Sequence, residues 1–121
     1  MADTNLPPGP ELDALVAEAM GWTRTGHGIM PWAMPSGDLR QRPIPYSTTG
    51  NGMLAMLEWM RAKGWFINLN YWPDGATTRV YVAGTSILLA RTSENAAPHA
   101  VALALLEAAV EAATAEKEKT A

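Results

Sequence analysis

The chain has 121 residues, 48% hydrophobic and 17% charged, with a formal charge of -3 and no cysteine. That length suits one domain with a single core, and the acidic balance argues against a protein that grips bulk nucleic acid through clustered cations. Lack of cysteine excludes disulfides, thiolate nucleophiles and cysteine-ligated zinc.

Residues 1–9, MADTNLPPG, have neither the basic start nor the apolar core of a secretion signal, and are expected to form a flexible lead. A first helix is predicted over 10–20. Pro10 presets φ at its start, Glu11 and Asp13 suit the positive end of the dipole, and Gly21 offers a left-handed stop. Leu12, Leu15, Val16 and Ala19 form its buried stripe, and Asp13 and Glu18 are expected to point elsewhere. Glycines and prolines scattered over 22–46 suit short strands and loops, anchored by Trp22 and Trp32.

A second helix is predicted over 50–63, with Met53, Met56, Leu57 and Met60 spaced at three and four and Gly64 as its stop. From 65 to 91 the pattern changes to a period of two. WFINLNYW (65–72), TTRVYVA (77–83) and SILLAR (86–91) read as three strands of an antiparallel meander, joined by turns at PDGA and at Gly84-Thr85. The last helix is predicted over 96–114, capped from Ser93 to Asn95, entered by Pro98, with Val101, Leu105, Leu106, Ala109 and Val110 buried. The tail 115–121 should fray. Pro98, His99 and two glutamates interrupt the richest apolar stretch, 96–115, so no membrane span is expected.

The expected architecture is therefore α+β, one layered domain over 10–114 in which the meander hides an apolar face against helices. The blocks ELDALVAEAMGW (11–22), PYSTTGNGMLAMLEWMRAKGW (45–65) and ENAAPHAVALALLEAA (94–109) resemble, in that order, those of the phage ABA sandwich domain family. Ala96 stands where the closing block of that family usually has threonine, and Gly50 with Gly52 replaces a firmer helix start. The resemblance implies an α-β-α sandwich and a small bacteriophage or prophage protein acting in the host bacterial cytoplasm. It also brings in an analogy with small phage proteins that sequester nucleotide second messengers of antiphage defence.

Candidate chemistry centres on Tyr46-Ser47-Thr48-Thr49. A helix start offers free N–H groups and partial positive charge, so these residues could meet a phosphate; equally, one hydroxyl could cap the helix while Tyr46 packs beneath it. The stretch is neither a Walker loop nor a dinucleotide fingerprint. Arg40 and Arg42 in GDLRQRPIP, and Arg79 and Arg91 on the second and third strands, are the cations that could reach an anion, with surface solubility as the plainer role of each. His27 and His99 have no metal-ligand spacing, no nucleophile elbow is present, and neither catalysis, metal nor cofactor is expected.

The leading expectation is a noncatalytic binder of a small nucleotide, with a site at the start of the second helix. The alternative is an interaction module that grips a host or phage protein through Met53, Met56, Met60 and Trp59. Double-stranded RNA binding matches the element order but lacks the basic helix start it needs. Phe66 and Trp72 share the strand face opposite Ile67 and Leu69, so that face needs a helix layer or another subunit, and a homo-oligomer is expected.

Overall fold

The computed structural model describes residues 6–26, 28–73, 75–82, 88–93 and 97–120, with the side chains at 71–72, 88–93 and 115–120 outside that description. Three helices, α1 (Pro10–Ala19), α2 (Gly50–Ala62) and α3 (Ala97–Thr120), accompany two small sheets. β1 (Thr23–Arg24), β2 (Trp32–Ala33) and β3 (Leu39–Arg40) form the first, and β4 (Phe66–Trp72), β5 (Gly75–Tyr81) and β6 (Leu88–Ser93) the second. The fold is α+β, and the second sheet is the three-stranded antiparallel meander read from the period-two pattern.

Positive φ at Gly21 (99°) and Gly64 (81°) ends α1 and α2, the left-handed stops that only glycine adopts cheaply. From Trp65 through β4 the side chains alternate, Trp65, Ile67 and Leu69 inward and Phe66, Asn68 and Asn70 exposed. Pairing of Trp72 with Gly75 leaves a two-residue connection to β5, as the PDGA turn requires. The Gly84-Thr85 turn, His27, Asn95 and Ala96 lie outside the described residues. Ser93 closes β6 and Pro98 enters the first turn of α3, where its missing N–H costs nothing.

α3 is the hub. It packs on β5 and β6 and also touches α1 and α2, so from Ala97 to Leu105 almost every side chain is buried. That all-round burial replaces the single stripe predicted for it, and Val110 is exposed. By length and composition alone Ala97–Thr114 could cross a membrane, and 56% of it is buried within the fold, as in the core helix of a globular domain.

Both ends differ from expectation. α3 continues through Thr120, because alternating glutamate and lysine are good helix formers and no glycine or proline stops them. At the other end, Leu6 packs on the core, its carbonyl lies 2.8 Å from His99 Nε2, and Gly9 N donates to Ser47 Oγ at 2.9 Å. Residues 6–9 are thus tied into the domain rather than forming a free lead.

One buried group is energetically out of place. Thr78 Oγ1, on the inner face of β5, has no hydrogen-bond partner among the described residues. Burying a hydroxyl without a partner costs about 1–3 kcal/mol. Thr78→Val keeps the shape and removes the polar atom, and is expected to raise stability by about 1 kcal/mol in denaturant unfolding.

Candidate functional site

Residues 45–49 connect the small sheet to α2, and the structure divides their labour. Thr49 is the N-cap: its backbone is extended and its hydroxyl accepts from Gly52 N at 3.0 Å. That is the capping role weighed against a ligand role in the sequence. Tyr46 is 2% exposed, and Trp22 Nε1 donates to its hydroxyl at 3.1 Å. Trp22 also packs edge-on against both Tyr46 and Trp32, with centroids 6.4 Å apart in each case. Trp22 and Trp32 therefore anchor the 22–46 region as expected, and Tyr46 is part of that anchor.

Ser47 is 1% exposed. Its N–H donates to Asp13 Oδ1 at 2.8 Å and its hydroxyl donates to the same oxygen at 2.6 Å while accepting from Gly9 N. The single hydroxyl proton belongs to the carboxylate rather than to Gly9 O, 3.4 Å away, because the charged acceptor is nearer. Asp13 is itself buried, which corrects the expectation that it would point away from the stripe. It stands one turn before buried Ala17, on the flank of that stripe, and Ser47 gives its charge the partners that burial demands.

Burial pushes the Tyr46 phenol above its ordinary 10.0; the bond from Trp22 opposes this, and the negative charge of Asp13 adds to it. A phenol that holds its proton longer when folded stabilises fully below the unfolded value and loses that contribution as pH rises through the folded one. Stability is expected to fall above about pH 10, and less steeply in Tyr46→Phe, as chemical unfolding at stepped alkaline pH would report.

Only Thr48 of the triplet is exposed. Together with Gly9, Pro10, Asp13, Arg42, Pro43 and Pro45 it lines a cleft of about 360 Å³ between the start of α1 and the chain entering α2. Arg42 also borders a wider, shallower hollow of about 590 Å³ with Arg40, Asp38 and Met30. Both arginines are exposed, and neither has an ion pair or side-chain hydrogen bond among the described residues. Arg24, in contrast, is parked 4.0 Å over the Trp32 ring and 3.5 Å from Glu18.

The predicted residues therefore separate. Arg40, Arg42 and Thr48 surround neighbouring hollows, whereas Tyr46, Ser47 and Thr49 hold the walls in place. Arg79 is exposed on the outer face of β5, and Arg91, in β6, pairs in register with Thr78 of β5, the Arg91 side chain lying outside the described residues. Pro10 and Asp13, in a block read only as a helix start, join the cleft. Among the described residues no group of three histidine, aspartate or glutamate side chains is placed to hold a metal.

No family model matches the chain, and no curated protein matches it. Among solved structures, a 2.0 Å crystal structure of a phage protein from Bacillus cereus ATCC 14579 is similar, with TM-score 0.62 and 16% identity over 89% of this chain and 97% of that one. At that identity the likeness concerns the fold.

Proposed function

We propose that the chain is a noncatalytic phage accessory protein, of the kind represented by the phage ABA sandwich domain family, that sequesters a small nucleotide in the host bacterial cytoplasm. The observation that carries this reading is the meeting of Arg42, Thr48 and the start of α1 around one cleft, with Arg40 beside it. Two uncommitted guanidinium groups next to a hydroxyl form an anion-accepting rim, and arginine suits phosphate because its fork matches two oxygens. Sequestration of a nucleotide messenger of antiphage defence requires tight binding and no bond-breaking step. Calorimetry with cyclic and ADP-ribose-derived nucleotides is expected to give heat that Arg42→Glu abolishes. A flat titration of the unaltered protein across that panel would remove the proposal.

A second reading, an interaction module for a host or phage protein or for another copy of the chain, is favoured by a different surface. Met56 and Met60 are fully buried, whereas Met53 and Trp59 are half-buried and pack on the core, so only part of the methionine face proposed for a partner is open. The more open surface is the outer face of the meander, where Phe66 (66% exposed) and Tyr81 (46%) are paired across strands with rings 6.3 Å apart. Sedimentation velocity is expected to show a homo-oligomer that Phe66→Glu dissociates. A monomer at high concentration would remove that reading.

A further inference from the structure

Asp13 carries more than its bonds to Ser47. Both of those bonds end on Oδ1, and no other group among the described residues hydrogen-bonds the carboxylate. Oδ2 is thus left without a partner on a side chain that is 6% exposed and lines the cleft. A carboxylate oxygen accepts only, so the chemistry that completes it is an N–H or O–H donor. The rest of the lining narrows the choice. Pro10, Pro43 and Pro45 have no backbone N–H and present apolar rings, while Arg42 and Thr48 supply the other polar groups.

We infer that Asp13 Oδ2 recognises an amino-bearing nucleobase, its exocyclic N–H donating to the carboxylate, its ring lying among the prolines and its phosphate meeting Arg42. This rests on the nucleotide reading above and deepens it, since a rim of arginines alone would take any anion. Cleft volumes that hold small ligands begin at roughly 300 Å³, and this one, at about 360 Å³, suits a mononucleotide-sized group. A base that presents only carbonyl oxygen beside its N–H would set like partial charges against the carboxylate. Discrimination of roughly tenfold to a hundredfold is expected from one charge-assisted bond in a buried setting.

The test is a calorimetric titration of the unaltered protein, Asp13→Asn and Arg42→Gln with adenosine, cytidine, guanosine and uridine monophosphates. The unaltered protein should prefer the three amino-bearing nucleotides to the uridine one by at least about tenfold. Asparagine keeps an oxygen for Ser47 and puts an NH₂ where Oδ2 stood, so Asp13→Asn should lose or reverse that preference, whereas Arg42→Gln should weaken all four alike. Equal affinity for all four in the unaltered protein overturns the inference even if Asp13→Asn does not fold. Binding lost in Arg42→Gln with an unchanged preference in Asp13→Asn overturns it and leaves the nucleotide reading standing. If none of the four binds, the inference falls, and the cyclic and ADP-ribose-derived panel separately decides the nucleotide reading.

Discussion

Replacing Gly52 with alanine is expected to lower stability by about 2 kcal/mol, although alanine is the better helix former by about 1 kcal/mol at an ordinary helical site. A Cβ at Gly52 would stand 2.6 Å from Pro45 O, 2.6 Å from Tyr46 Cα and 2.9 Å from Thr49 Oγ1. Two of those are backbone atoms of the segment that Tyr46, Ser47 and their partners fix, so no flexible side chain can yield. Overpacking of this kind costs about 1–3 kcal/mol or more and outweighs the propensity gain. A fall in melting temperature of about 8 °C is expected for a domain of this size. Gly50→Ala is the internal control, because its Cβ meets nothing within 4 Å, and it should be neutral or slightly stabilising.

Asp13→Ala is expected to cost about 3 kcal/mol. It removes two hydrogen bonds to a charged acceptor, each worth about 1.5–3 kcal/mol, and leaves the buried Ser47 N–H unpaired. Part of that loss is offset because a buried charge disappears with it. Asp13→Asn should cost less than about 1 kcal/mol, as an amide oxygen can take both bonds. A double-mutant cycle with Ser47→Ala isolates the hydroxyl bond, and a coupling of about 1 kcal/mol or more is expected in guanidinium unfolding. Additive single effects would mean that the hydroxyl and the carboxylate do not act together.

Those two residues also mark where sequence reasoning ran out. The limits of α1 and α2, the meander and its inward and outward alternation were legible because each rests on a local period or on a terminating glycine such as Gly21 or Gly64, whereas the tail of α3 has neither. That one of the three hydroxyls caps α2 was legible for the same reason, and the structure alone singles out Thr49. Asp13 was not: in a first turn, an acidic residue reads as a favourable partner of the helix dipole, and its role depends on Ser47, 34 positions away. The signal available was its spacing, four residues before Ala17, which puts it at the edge of the buried stripe. Likewise the methionines of α2 look adaptable on paper, and only the packing of α2 beside α3 and β4 makes Met56 and Met60 interior. Five tryptophans did not by themselves locate a pocket. Trp22 and Trp32 brace the cleft's wall, and Trp59 packs edge-on to Trp65, their centroids 5.5 Å apart.

The cleft between the start of α1 and the turn into α2 is the feature on which the functional account depends. Amide chemical shifts of the protein titrated with an amino-bearing nucleoside monophosphate test it most directly. Changes confined to residues 9–13 and 42–48 are the expected result. A silent spectrum, or changes confined to the outer face of the meander around Phe66 and Tyr81, would contradict it.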